Sequence, residues 1–391
     1  MTSMSRRCWV AVTLVAVTAL TAGACAARPE TGTALPSGCI TDFDAHTDYF
    51  PDKSRVVDAT NFTLSYHNSY QVLTVKQPYP RAKPQSYVLV RCGAPAPQLT
   101  GALAAAPRIT VPVTSMYSAS TTQLGMISEL QRTDVITGVA NTAYVVSPQL
   151  RHRVDSGKIV SYAPGQQIDA ETVLAARPDV LVAAGIDDPG YVKLREAGVP
   201  VVADAEWLEP TPLGRAEWVK VLAALTGTEK KADELYAKLR DDYHRIARRA
   251  ADARATEVLL GAMDQGSWSL PAGDSYPARL VRDAGGRYPW AGDTGTGSLH
   301  LSLESVYARA GHAPLWLVGS GWKTIADALA VDSRYRELAA VRDGQVWSQT
   351  DDYWERGAAR PDLVLSDLVA ILHPELSANH QFAFYRQVSR A

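Results

Sequence analysis

Apolar and polar positions follow one rhythm up to about residue 100 and another beyond it. Phe62-Thr-Leu-Ser-Tyr-His, Tyr70-Gln-Val-Leu-Thr-Val and Tyr87-Val-Leu-Val alternate or run apolar, with Asn68-Ser69 and Pro78 to Pro84 between them. Short runs of this kind bounded by turn residues predict strands, here a small antiparallel addition packed on the first lobe of the remaining chain. From Arg108 the chain switches to buried apolar runs separated by helical stretches. Ile109-Thr-Val-Pro-Val, Val135-Ile136, Ile159-Val160, Val180-Leu-Val-Ala and Val199-Pro-Val-Val read as strands. Gln123 to Gln131, Ala170 to Ala176 and Tyr191 to Ala197 read as helices between them. That alternation predicts a parallel sheet covered by helices.

A long helical stretch interrupts the alternation. Leu213 to Leu225 forms one piece, Gly227-Thr228 punctuates it, and a second piece runs from about Glu229 to Ala253. Ala232, Leu235, Tyr236, Leu239, Tyr243, Ile246, Ala247 and Ala250 fall at spacings of three and four, the stripe of an amphipathic helix. The alternation then restarts: strand Val258-Leu-Leu-Gly, helices Tyr276 to Ala284 and Leu303 to Ala310, strands Leu315-Trp-Leu-Val and Gln345-Val-Trp, and helix Asp362 to Leu372. The predicted fold is therefore α/β: two α/β lobes with mostly parallel sheets joined by one long helix, plus a small N-terminal β segment.

The first residues read as an address. Arg6-Arg7 precede an apolar run from Trp9 to Leu20, followed by small residues and Cys25. The run is too short to span a bilayer, and the order is that of a signal peptide. Small residues leading straight into a cysteine resemble a bacterial lipoprotein signal, which implies lipidation at Cys25 and a protein exported, lipid-anchored to the cell membrane and facing outside the cytoplasm. The expected divisions are 1–24 signal peptide, 25–38 tether, 39–107 β-rich extension, 108–208 first lobe, 209–255 spanning helix and 256–391 second lobe. In an oxidising compartment the remaining even pair, Cys39 and Cys92, is expected to form a disulfide.

Charge narrows the choice of partners. The formal charge is −2, from 39 basic and 41 acidic residues, so no basic excess exists to hold a phosphate backbone and nucleic acid is disfavoured. Trp (9) outnumbers Phe (5), and eight of the nine Trp lie beyond position 206. Rings with a polar handle suit ring-lined surfaces; a GC-rich genome would produce the same bias.

The chain also repeats itself. Asp169-Ala-Glu171, a short apolar helix and a strand ending in Gly185 are echoed by Ser302-Leu-Glu304, a second helix and a strand ending in Gly319. In each copy an N-cap residue precedes a Glu in the first helical turn, which is also good helix chemistry in its own right.

With Trp207 to Trp218, Pro271 to Gly286 and Arg360 to Leu376, these units resemble the helical-backbone periplasmic binding proteins of ABC importers for iron-siderophores, haem and vitamin B12. The resemblance extends from 108 to 376. It implies a monomeric receptor that captures a metal-chelate small molecule between two lobes and delivers it to an ABC permease with its ATPase. It implies no enzymatic activity and no cofactor. In this family one Glu on each lobe docks with permease arginines, and the matching positions are Glu171 and Glu304.

Ligands of such sheets bind beyond the carboxyl ends of the strands. On that basis the expected ligand residues are Tyr117, Tyr144, Trp207, Trp268, Tyr276, Trp290, Trp322, Trp354 and Arg356. Ferric siderophore is the leading cargo, with haem and cobalamin as alternatives. A direct zinc or manganese receptor would need three converging His and a carboxylate, whereas His152, His300 and His312 are scattered. An exported enzyme finds no Gly-x-Ser-x-Gly, His-Glu-x-x-His or phosphate-loop signature. A surface protein that kept the fold and lost transport remains the other reading.

Overall fold

A computed structural model describes residues 38–390 of the chain. The signal-like segment, Cys25 and all but the last residue of the tether lie outside the described residues.

Strands Phe62–Tyr66, Tyr70–Val75 and Gln85–Arg91 form an antiparallel meander, and Arg108–Val111 joins it parallel to Gln85–Arg91. Here the structure corrects the expected boundary at 108, because this strand belongs to the N-terminal sheet and not to the first lobe. Nor is that sheet a satellite. Its inward residues Leu73, Val75, Tyr87 and Leu89 share one hydrophobic core with Met116, Ile136 and Trp218. Cys39 and Cys92 are disulfide-bonded with their Cα atoms 4.8 Å apart. Beside them Ile40 N–H donates to the Cys92 carbonyl at 2.8 Å, so the start of the described chain is tied to the end of the meander.

The first lobe is a five-stranded sheet in the order Val160–Ser161, Ile136–Val139, Met116–Ser118, Val180–Ala183, Val201–Ala203, parallel throughout. Its central strand is Met116–Ser118, where the sequence predicts a strand's carboxyl end and the loop after it. Three residues are too few to show a period, which is why the strand is illegible in the sequence.

The second lobe carries four parallel strands, Gly286–Arg287, Thr256–Leu260, Leu315–Val318 and Val346–Gln349, with Tyr385–Gln387 antiparallel at the edge. A separate antiparallel sheet of Ala262–Asp264, Ser267–Pro271 and Ser298–Leu301 was not expected. Its hairpin turns through Gln265 and Gly266, both at positive φ (47° and 86°), the backbone of the turn that suits twisted antiparallel strands.

The expected spanning helix is in fact three helices, Pro212–Ala216, Val219–Thr226 and Glu229–Ala250. Pro212 opens the first, and Gly227 closes the second in a left-handed cap at φ 68°. Leu213 and Ala216 pack in the second lobe's core, while Val219 to Leu225 pack in the first lobe's core. The 22-residue third helix is about 33 Å long. Ala232 near its start is buried in the first core, and Tyr236, Leu239, Tyr243, Ile246 and Ala250 are buried in the second. Each fully buried aliphatic side chain there contributes roughly 1.5–3 kcal/mol, so one helix is anchored in both lobes.

Two buried carboxylates fasten the N-terminal segment to this crossing. Glu217 accepts the backbone N–H groups of Val57, Asp58 and Ala59 and the ammonium of Lys220. Glu209 accepts those of Thr60 and Asn61 and the Trp218 indole N–H. A buried carboxylate supplied with several donors is satisfied where an unpaired one would be very costly.

Candidate functional site

A cavity of about 440 Å³ opens between the lobes. The first lobe supplies Ser118, Ser120, Thr121 and Leu124 around the start of helix Thr121–Glu129, and Asn141, Ala143, Tyr144 and Val146 from the loop after Ile136–Val139. The second lobe supplies Asp351, Trp354 and Glu355. Ser120 caps the helix by accepting the Thr122 N–H, so the positive end of this helix faces the cavity.

Tyr144 is 60% exposed on one side and Trp354 is 50% exposed on the other. Trp354 sits in the π-helical turn Tyr353–Gly357, where Tyr353 and Glu355 point inward while Trp354 and Arg356 point outward. A second cavity of about 390 Å³ shares Val146 and Asp351 with the first and is walled by Asp352, Arg356 and Arg386. Arg356 is paired to Asp352 at 2.7 Å, and Arg386 donates to the Gly321 carbonyl at 2.6 Å. Tyr276 and Trp354 meet a third cavity, of about 160 Å³, within the second lobe.

Of the nine expected ligand residues, Tyr144 and Trp354 line the interlobe cavity, and Arg356 and Tyr276 line its neighbours. The rest are elsewhere. Tyr117 is in the central strand of the first sheet, 1% exposed and stacked on Tyr162 at 5.5 Å. Trp268 lies on the inward face of a strand and not in a loop; its indole donates to the Leu260 carbonyl at 2.9 Å and its ring packs 5.5 Å from Trp316. Trp322 joins the same ring cluster. Trp290 is buried beside Tyr288 with the Arg309 guanidinium over its ring. Trp207 is half-buried and donates to the Ala184 carbonyl at 3.2 Å. Rings satisfied by neighbours and carbonyls in this way are core or core rim.

A polar network that joins the two lobes was missed by sequence reasoning. Arg215 is paired with Glu206, which also accepts the Thr122 hydroxyl at 2.9 Å, and its guanidinium lies 4.2 Å over the Tyr276 ring of the second lobe. Burial is the largest influence on Arg215 and opposes its charge, but the Glu206 carboxylate together with the Tyr276 and Tyr353 hydroxyls holds the guanidinium above its ordinary pKa. Burial, then the Glu206 charge, pushes the Asp204 carboxyl well above its ordinary value. Glu355 is the other omission. Its partners are more than 200 residues away, which no local pattern reveals.

The repeated units fold alike. Asp169 caps helix Ala170–Ala176 by accepting the Thr172 N–H at 3.1 Å, and Ser302 caps Leu303–Ala310 by accepting the Ser305 N–H at 3.2 Å. Glu171 and Glu304 stand in the first turns, both exposed, and Glu304 is paired with Arg334 at 3.1 Å. Among the described residues no group of three or more His, Cys, Asp or Glu is placed to hold a metal ion. Nor is any helix among them long and apolar enough to cross a membrane.

Comparison with known proteins places this architecture. An uncharacterized lipoprotein of Methanocaldococcus jannaschii is 29% identical over 286 residues, covering 71% of this chain and 69% of the relative. Among solved structures, a periplasmic haem-binding protein from Pseudomonas aeruginosa superposes with a TM-score of 0.58 at 20% identity, covering 71% of this chain and 99% of its own. A periplasmic binding protein from Veillonella parvula does so with a TM-score of 0.58 at 14% identity, covering 78% and 99%. Both neighbours are described as periplasmic binding proteins. The profile described as periplasmic binding protein matches residues 117–353, more than half of the sequence and both lobes, so the chain belongs to the periplasmic binding protein family.

Proposed function

We propose that this protein is the extracytoplasmic receptor of an ABC importer, holding a metal chelate in the interlobe cavity and presenting it to a membrane permease. The observation that carries the reading is the cavity itself, with an exposed ring from each lobe, Tyr144 and Trp354, and polar groups between them. Rings supply flat apolar contact while a few polar groups orient a bound molecule. Ser118, Ser120, Asn141 and Asp351 in the cavity, with Arg356 and Arg386 next to it, favour a polar chelate, and ferric siderophore is the cargo we put first. Haem, which the Pseudomonas aeruginosa neighbour is described as binding, and cobalamin are the alternatives.

In this reading Glu171 and Glu304, carried on matching capped helices of the two lobes, meet arginines of the permease, and a lipid on Cys25 keeps the receptor at the membrane surface. Carboxylates on exposed first turns can accept arginine bidentately and set orientation as well as affinity.

Titrating intrinsic Trp fluorescence with ferric siderophores, haemin, cobalamin and zinc tests the cargo. Saturable quenching by one chelate, reduced in Trp354→Phe, is expected; silence across the panel overturns the reading. The double variant Glu171→Ala/Glu304→Ala is expected to abolish uptake while leaving affinity intact. Loss of affinity itself would move those residues from docking to the pocket or the fold.

A further inference from the structure

Glu355 belongs to the second lobe, yet its side chain is bound to the first. The carboxylate accepts the Val146 N–H at 2.6 Å and the Ser147 N–H at 3.1 and 3.2 Å to its two oxygens. These amides stand at the start of helix Pro148–Asp155, whose own N-cap residue, Ser147, makes no side-chain cap hydrogen bond. The Ser147 hydroxyl is buried without a hydrogen-bond partner. An N-cap side chain would meet amides further in, at the second or third helical residue, so the amide of Ser147 itself and that of Val146 before it need another acceptor. In this protein an acid from the opposite lobe meets them, and its charge is matched by the positive end of the helix.

The other side of the same residue is held differently. Gly125 of helix Thr121–Glu129 approaches it so closely that a Cβ at that position would lie 1.8 Å from the Glu355 carbonyl oxygen. Helix and turn thus meet backbone to backbone, an approach only glycine allows. Glu355 is 1% exposed. With Leu124 and Val146 of the first lobe and its own neighbour Trp354, it walls the cavity.

We infer that Glu355 is an interlobe latch: its carboxylate on Val146 and Ser147, and its backbone against Gly125, set the width of the cleft and hold Trp354 over it. The two contacts act together. Separating the lobes at this point uncovers two helix-start amides and a buried carboxylate at once, so the cleft is held ready-formed before any cargo arrives. Glu355 is a positioning residue in this account.

Amide hydrogen exchange on the intact protein without cargo tests the latch. In Glu355→Ala the Val146 and Ser147 amides are expected to exchange at least about tenfold faster, while the core strand Leu315–Val318 keeps its protection. Glu355→Gln keeps one acceptor oxygen and is expected to fall between that variant and the wild type. It also carries the test if the alanine variant does not fold. The decisive variant is Gly125→Ala. It touches neither amide, yet by forcing the helix away from Glu355 it is expected to speed exchange at both. Unchanged exchange at Val146 and Ser147 in Glu355→Ala and Glu355→Gln, or in a folded Gly125→Ala, overturns the inference. Because no cargo enters the measurement, silence in the chelate titration would leave these rates as stated, and unchanged rates would sink the latch with the receptor reading untouched.

Discussion

The crossing segment and the ring cluster of the second lobe stabilise the protein by opposite means. Between Asp204 and Glu229 the chain buries Asp204, Glu206, Glu209, Arg215, Glu217 and Lys220, each at 5% exposure or less. In the second lobe Trp268, Trp316, Trp322 and Tyr335 pack ring on ring with centroids 4.9–5.9 Å apart. The rings pack tilted or edge-to-face and place their polar ends on backbone of the same lobe, the Trp268 and Trp316 indoles on the Leu260 and Gly261 carbonyls and the Tyr335 hydroxyl on the Met263 N–H. Buried charges need donors at fixed positions, and for Glu209 and Glu217 those donors are mostly backbone amides of the N-terminal segment. The charged region therefore fixes geometry between chain segments, while the aromatic region supplies cohesion within one lobe.

Breaking the two regions should give different signatures. The largest effects are expected from Glu217→Ala and Trp316→Ala, each costing about 3–5 kcal/mol in urea unfolding. Limited proteolysis should separate them. Loss of Glu217 strands three amides of the N-terminal segment and leaves Lys220 only the Arg55 carbonyl and Asp233, and should loosen that segment, whereas loss of Trp316 should leave it protected. If Trp316→Ala costs no more than the exposed Trp354→Ala, expected at about 0.5 kcal/mol or less, the ring cluster is not core.

A smaller effect should appear in the pH dependence. The Asp204 carboxyl is raised well above its ordinary value, so the folded protein holds a proton that the unfolded chain gives up. The stability tied to this group is complete below the ordinary carboxylate range and is lost as pH climbs through the raised folded value. Asp204→Asn imitates the protonated acid. It is expected to raise the melting temperature at neutral pH by a few degrees, to flatten that fall, and to change little near about pH 4. A lower melting temperature at neutral pH would mean that the ionised form is the one Arg215 stabilises.

The smallest expected effect is at the repeated helices. The Glu304–Arg334 pair has 75% and 53% exposed side chains, and water screens it, so Glu304→Ala should leave the urea unfolding midpoint unchanged. A loss of stability would give Glu304 a structural role that Glu171 lacks, and the likeness of the two units would fail as a docking argument.

Much of the fold was legible because periodicity is local. The stripe from Ala232 to Ala250 marks one buried helix face, the runs at Val180 and Leu315 become buried strands, and the Asp169 and Ser302 caps start their helices where the sequence places them. Pro212 and Gly227 are equally readable as breaks, although the periodicity around them reads as one spanning element.

The cavity was less legible. Tyr144 and Trp354 were reachable as rings near strand ends, but nothing local separates Trp354 from Trp268 or Trp322. All three are indoles among small and polar neighbours, and only packing against Trp316 and Tyr335 removes two of them from the cleft.

The sequence by itself therefore determined the two α/β lobes, the helix that joins them and the two capped Glu-bearing helices, because each follows from spacings of two to four residues and from capping chemistry. Only the tertiary structure decided which rings face the cleft, that Arg108–Val111 belongs to the N-terminal sheet, and that Glu355 holds amides of the opposite lobe. Those outcomes depend on contacts between residues up to 209 apart along the chain, whose geometry exists only once both lobes have packed.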